Sequence, residues 1–262
     1  MALPDGRLRN NVKDKLTRGE TVYSMTVRLV RGVEIAGIAR AAGFDSIYID
    51  LEHCGFSLET VGQISIASLG IGIAPFVRVP SPDGHFITRV LDAGALGIIV
   101  PDLHSADDAR AVVRAVKYRP VGDRSLPGVM SQLTYRSVPT GDACQELNEA
   151  TMVVAMIEST RGLAQADAIA AVPGIDILLV GANDLCSANG VAGQFDHELV
   201  QSAFHQVHQA CQAHKKTLGV GGLASRPDLV KKYVALGGRY VSLGADLSLL
   251  LAAATQKRKE VS

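Results

Sequence analysis

"DGHFITRVLDAGALGIIVPDLHSADDARAVVRAVKY", residues 83–118, decides the fold. Phe86, Ile87, Val90 and Leu91 recur at helical spacing, and the stretch closes on Gly94, the residue type that most readily ends a helix. "LGIIVPD" (96–102) then forms an apolar run too short for a core helix and reads as a buried strand. "ADDARAVVRAVKY" returns at once to helical spacing. Helices on both sides of a wholly apolar strand, joined by a few residues, imply right-handed crossovers and a parallel sheet.

The same unit recurs in both directions. Strand candidates are "VYSMTV" (22–27), "SIYIDLE" (46–52), "APFVRV" (74–79), "LGIIVPD", "TMVVAMIES" (151–159), "DILLVGAND" (176–184), "TLGVGG" (217–222) and "YVSLGAD" (240–246). Eight such units close a (β/α)8 barrel, and 262 residues match its usual size of about 250. A doubly wound open sheet would want a glycine-rich turn after the first strand, and "TVRLVRGVE" has none. We expect one barrel domain over residues 1–262, with the long gap at 119–150 forming an extended loop over the barrel mouth.

Composition narrows the function. Twenty-six basic and twenty-six acidic residues balance, so the chain has no global attraction to nucleic acid or an anionic membrane. No apolar run approaches the ~20 residues of a membrane span, and "MALPDGRLRNN" lacks the apolar segment of a secretion signal. Cys54, Cys144, Cys186 and Cys211 are scattered without a C-x-x-C pair, the pattern of reduced thiols in the cytoplasm.

Strand parity locates the charges, because side chains alternate between the two faces of each strand. Tyr48, Asp50 and Glu52 share one face, and Ile47, Ile49 and Leu51 the other. The apolar face must meet the helical layer, so Asp50 and Glu52 point inward. The third strand sets Ala74, Phe76 and Arg78 against Pro75, Val77 and Val79. The fifth sets Val154, Met156 and Glu158 against Val153, Ala155 and Ile157. The sixth sets Leu178, Val180, Ala182 and Asp184 against Ile177, Leu179 and Gly181. In these three, parity leaves the inward face undecided. Each nevertheless ends in a charge at its C-terminal edge, where barrel enzymes carry their chemistry.

Two readings stand beside each other at that edge. Glu158 and Asp184 suit a divalent cation completed by water and substrate oxygens, or they form ordinary pairs and caps, Glu158 with Arg78 or Arg161 and Asp184 at the next helix. His53 is a general base oriented by Asp50, or a structural loop histidine. Arg78 binds an anion, or is simply solvated. His205, His208, Cys211 and His214 suggest a zinc stripe, but steps of three advance about 300° on a helix and drift away from any single ion. "GVGG" (219–222) and "LGAD" (243–246) offer only short backbone cradles for phosphate.

Taken together, "IDLEH", "FVRVP", "RVLDAGALGIIVPDLHSADDARAVVRAVKYRP", "MIES", "IAAVPGIDILLVGANDL" and "ALGGRYVSLGADLSLL" resemble the metal-dependent (class II) pyruvate aldolases of the HpcH/HpaI family, the 4-hydroxy-2-oxoheptanedioate aldolase type. The resemblance spans about residues 20–250. It implies a barrel whose C-terminal helix is exchanged between subunits of a trimer-of-dimers hexamer. It implies Glu158 and Asp184 as ligands of Mg2+, Mn2+ or Co2+, without an organic cofactor. Arg78 would steady the pyruvate enolate, His53 with Asp50 would form the acid–base dyad, and Ala182 and Asn183 would meet the substrate carboxylate. The implied reaction is reversible cleavage of a 4-hydroxy-2-oxo acid to pyruvate and an aldehyde.

Two positions depart from the family pattern. Met156 stands where many members carry glutamine beside the substrate, and "RSLPG" (124–128) replaces a stretch usually reading Arg-Gly-x-Gly. Both are expected near the mouth, where they would alter acceptor size. A citrate-lyase-like enzyme acting on a CoA thioester is the alternative activity, with Arg119, Arg124 and Arg136 as its nucleotide-binding cations. A barrel that binds a 2-oxo acid without turnover is the non-catalytic alternative.

Overall fold

Eight parallel strands close on themselves in the order in which they occur along the chain. The computed structural model describes residues 8–261. The first half runs α1 (Asn11–Thr17), β1 (Val22–Val27), α2 (Glu34–Ala41), β2 (Ser46–Asp50), α3 (Leu58–Ile71), β3 (Ala74–Arg78), α4 (Gly84–Asp92), β4 (Gly97–Val100) and α5 (Ala106–Val116). The second half runs α6 (Thr140–Ala150), β5 (Met152–Ile157), α7 (Thr160–Ala164), α8 (Ala166–Ala170), β6 (Ile177–Gly181), α9 (Ala182–Ala188), α10 (Glu198–His214), β7 (Thr217–Gly221), α11 (Pro227–Leu236), β8 (Gly238–Ala245) and α12 (Asp246–Lys259). The (β/α)8 barrel expected from the sequence is therefore the fold. The helix of residues 83–94 starts at an Asp83 cap, whose carboxylate accepts the His85 amide.

Alternation along the strands produces two apolar layers. Val22, Tyr48, Phe76, Val154, Leu179 and Tyr240 fill the barrel interior, with Val12 of α1 plugging its floor. Ile47, Ile49, Val77, Ile98, Val153, Leu178 and Val180 face outward into the helices. Ile177, Leu179 and Gly181 are thus the inward set of β6, which settles the parity the sequence left open.

The segment at 119–150 does not cover the mouth. It leaves α5 and enters β5, and both junctions lie at the N-terminal ends of the strands. A connection from helix to strand belongs to the floor of a barrel, whatever its length. Here it folds on itself: Met130, Leu133, Ala143 and Leu147 cluster around Tyr118. Gln132 donates to the Leu91 and Ala95 carbonyls at 2.5 and 3.2 Å, and Arg124 reaches Asp92 at 2.6 Å. The unusual "RSLPG" is a floor feature, at the end of the barrel opposite the mouth.

At the opposite extreme of the chain, α12 buries little of itself. Leu247, Leu249, Leu250 and Leu251 are all exposed. Among the described residues, no helix is long and apolar enough to cross a membrane. All four cysteines are free, Cys186 and Cys211 buried and Cys54 and Cys144 partly so.

Candidate active site

Asp50, the last residue of β2, is fully buried and pairs in register with Arg78, the last of β3. Parity aims both inward, so the carboxylate and guanidinium meet side by side. Arg78 Nε donates to Asp50 Oδ1 at 2.9 Å and Nη2 to Oδ2 at 2.7 Å, the bidentate geometry that fixes a guanidinium plane. Arg28 Nε donates to the same Oδ2 at 2.7 Å. The amides of Glu52 and His53 complete the set on Oδ1 at 3.1 and 3.4 Å. Burial alone would raise the Asp50 carboxyl, but Arg78 and Arg28 hold it below its ordinary value.

This arrangement changes the roles expected at "IDLEH". Asp50 binds the backbone of His53 and not its ring. The carboxylate beside the imidazole is that of Glu52, with Nε2 and Oε2 3.6 Å apart. Glu52 in turn lies 2.7 Å from Arg78 Nη1, so both acids flank one guanidinium. Burial raises the Glu52 carboxyl, against the pull of Arg78 and His53. The His53 side chain is 51% exposed and lines the cleft.

Glu158 follows β5 and presents the opposite situation. Only 6% exposed, it receives one hydrogen bond, from the Asp102 amide to Oε1 at 2.8 Å. Oε2 is buried without a hydrogen-bond partner. Burial pushes its carboxyl up to about 7, opposed by the Asp102 amide and reinforced by the charges of Asp184 and Glu52. Gly181 is what makes room: a Cβ there would lie 2.6 Å from Glu158 Oε2 and 2.9 Å from its Cβ.

Asp184 reaches the mouth by a route different from the one strand parity suggests. β6 ends at Gly181, and Asp184 is the third residue of α9. The helical turn, not a strand edge, carries it to the cleft. The same turn brings the Ala182 and Asn183 amides against Gly222, whose φ is +75°. A Cβ on Gly222 would stand 3.0 Å from Ala182 N and 2.9 Å from Asn183 N, so glycine keeps the approach to both amides open.

The cleft that these groups line has a volume of about 810 Å³ and includes Tyr48, His53, Arg78, Met156, Asn183 and Asp184. Met156 Sδ lies 3.9 Å from the Tyr48 hydroxyl. A second cavity of about 800 Å³ opens at the floor among Lys13, Lys117, Arg119 and Lys216, away from every one of these residues.

Glu158 and Asp184 fit a hard divalent cation. They are oxygen donors, one oxygen is orphaned, and their mutual repulsion is the kind a dication relieves. Among the described residues no cluster of three or more His, Cys, Asp or Glu side chains is placed to hold a metal. The histidines of α10 form no such cluster either.

The sequence matches the HpcH/HpaI aldolase/citrate lyase family over residues 31–253. The chain belongs to that family. A 4-hydroxy-4-methyl-2-oxoglutarate aldolase of Hapsidospora irregularis is 40% identical over 246 residues, covering 92% of this chain and 90% of its own. A hydroxypyruvate/pyruvate aldolase of Paraburkholderia phytofirmans is 33% identical over 259 residues, covering 96% and 97%. An HpcH/HpaI aldolase/citrate lyase family protein from Burkholderia cenocepacia, of known structure, superposes with a TM-score of 0.87 at 30% identity, covering 96% of this chain and 99% of that one. As an HpcH/HpaI aldolase the protein is a carbon–carbon lyase.

Against this family background, the structure gathers His53, Asp50, Arg78, Met156, Glu158, Asn183 and Asp184 at one barrel mouth and adds residues that the charged strand ends alone do not indicate. Arg28 continues the inward parity of Val22, Ser24 and Thr26, so the alternation that selects Arg78 also selects it. Asp246 is buried and accepts the Arg28 amide at 2.9 Å and the Val30 amide at 2.8 Å, pinning the loop after β1. Asp102, at a φ of +48°, holds Glu158 through its backbone, a role no side-chain pattern announces.

Proposed function

We propose that this HpcH/HpaI aldolase is divalent-metal-dependent and reversibly cleaves 4-hydroxy-2-oxo acids to pyruvate and a carbonyl partner. The observation that carries the reading is the orphaned Glu158 oxygen beside Asp184, next to a guanidinium fixed by Asp50. The relatives named as 4-hydroxy-4-methyl-2-oxoglutarate aldolase and hydroxypyruvate/pyruvate aldolase support the same substrate class.

Glu158 and Asp184 would hold Mg2+, Mn2+ or Co2+, which when bound polarises the 2-oxo group. The chain's own residues supply the rest. The Ala182 and Asn183 amides, kept accessible by Gly222, take the substrate carboxylate. Arg78, aligned by its two bonds to Asp50, donates to the keto oxygen as negative charge develops there. His53 at the mouth takes the 4-hydroxyl proton in cleavage and returns it in condensation. Glu52 orients the imidazole and Asp50 positions Arg78. Met156 and Tyr48 form the less polar wall beneath the reacting carbons.

The exposed leucines of α12 support exchange of this helix with a neighbouring subunit, within a trimer-of-dimers hexamer. The free thiols support residence in the reducing cytoplasm.

Protein incubated with pyruvate and each of the three metals in D2O should incorporate deuterium into the pyruvate methyl group. Folded protein that exchanges with none of them overturns the proposed metal-dependent pyruvate chemistry.

A further inference from the structure

Arg28 bears on the half of the substrate that does not become pyruvate, and its role rests on the aldolase activity proposed above. The residue is held at both ends. Its amide donates to Asp246 Oδ1 at 2.9 Å, and the following amides of Leu29 and Val30 bind the same carboxylate at 3.0 and 2.8 Å on Oδ2. Its Nε donates to Asp50 Oδ2 at 2.7 Å. Neutralising Asp50 does not require this second guanidinium, because Arg78 already binds both carboxylate oxygens. Among the described residues, no hydrogen bond takes Arg28 Nη1 or Nη2. The side chain is 39% exposed and lines the cleft. The other basic side chains of the mouth are engaged, Arg78 by Asp50 and Glu52, and His53 beside Glu52.

We propose that Arg28 binds a second substrate carboxylate, carried by the acceptor half, and so selects 4-hydroxy-2-oxo dicarboxylic acids over those with neutral acceptors. In cleavage the C3–C4 bond breaks and its electron pair passes to C3, which becomes the methyl carbon of pyruvate after protonation. The proton leaves the 4-hydroxyl, and C4 becomes the carbonyl of a second 2-oxo acid whose carboxylate rests on Arg28. A guanidinium fixed through Nε presents the planar Nη edge that a carboxylate matches without reorganisation. The Thr26 and Ser242 hydroxyls, 3.1 Å apart, line the same side of the cleft as neutral donors.

Condensation of saturating pyruvate with glyoxylate or with acetaldehyde tests this, because the two acceptors differ by a carboxylate in place of a methyl. The ratio of their kcat/KM values should fall at least tenfold in Arg28→Gln, through a raised KM for glyoxylate, and by a smaller factor in Arg28→Lys. A purely positioning role through Asp50 would slow both acceptors alike. An unchanged ratio in either folded variant therefore overturns the proposal. Deuterium exchange into pyruvate by the wild-type protein separates the two readings: exchange with an unchanged ratio removes only the role of Arg28, and no exchange removes both.

Discussion

Two buried carboxylates stand at the same barrel mouth and are treated in opposite ways. Asp50, at the end of β2, collects two guanidiniums and two amides and is held below its ordinary value. Glu158, beyond β5, has one amide, an orphaned oxygen and an acidic neighbour, and is pushed up to about 7. A carboxylate with every lone pair engaged has no capacity left for a ligand. Its work is to hold the groups that touch it. A carboxylate buried and left half-satisfied is costly unless something arrives, and that is the signature of a site. The contrast separates positioning from binding without reference to the reaction.

The largest expected effect breaks the unsatisfied member. Glu158→Gln keeps the shape and the Asp102 bond but removes half of the charge offered to a cation. Metal-dependent cleavage should fall on the order of a thousandfold, with metal binding by calorimetry weakened in parallel. Wild-type turnover in this variant would remove Glu158 from the metal site. Stability should move the other way in metal-free protein. Because the folded value is raised from 4.5 to about 7, Glu158 favours folding fully only below pH 4.5. That contribution is lost as pH rises to 7 and beyond, by about 3 kcal/mol on the shift. Chelated wild-type protein should therefore lose stability between those limits in denaturant titrations, and Glu158→Gln should lose about 3 kcal/mol less over the same window. Added metal should restore the wild-type loss.

Breaking the satisfied member should have a smaller effect on rate and a larger one on the fold. Asp50→Asn leaves the guanidinium of Arg78, 5% exposed, without its bidentate partner. We expect a loss of about 3 kcal/mol at neutral pH and about a hundredfold in cleavage rate. The pH sign is opposite to that of Glu158. A lowered folded value means Asp50 stabilises above its ordinary 3.8, and this is lost as pH falls through the folded value. Acid unfolding of the wild type should be steeper than that of Asp50→Asn. Identical acid profiles would show that the arginines do not hold the carboxylate.

Much of this contrast is legible in the sequence, and its gaps have physical causes. Eight strand–helix units specify the barrel, and alternation aims Asp50 inward because Ile47 and Ile49 have to face helices. Arg78 follows by register with β2. Alternation fails at Asp184 because the chain leaves extended geometry at Gly181, and a period of two means nothing inside a helix. It cannot say that Asp50 grips the backbone of His53 instead of its ring, since residues three apart beyond a strand end have no fixed relation. The length of the segment at 119–150 suggests a lid, but topology overrules length, because a helix-to-strand connection has only the floor available to it.

Gly181 offers the finest cut between the two carboxylates, because it touches only one. Its φ of −92° suits any residue, so Gly181→Ala brings no backbone strain. What it brings is a Cβ 2.6 Å from Glu158 Oε2 and 2.9 Å from Glu158 Cβ, so the carboxylate must swing away and the backbone carrying it must give as well. The Asp50–Arg78 pair belongs to other strands and keeps its geometry. Metal affinity should therefore fall by about tenfold, with the chelated protein destabilised by about 1–2 kcal/mol as the two strands ease apart. Gly222→Ala is the matched control on the substrate side. It combines a φ of +75° with a Cβ over the Ala182 and Asn183 amides, and should raise the KM for pyruvate in the exchange reaction while metal affinity holds. If Gly181→Ala left metal affinity untouched, the orphaned oxygen would not be the one that meets the cation. Asp184 would then have to hold it with Glu158 in a lesser part.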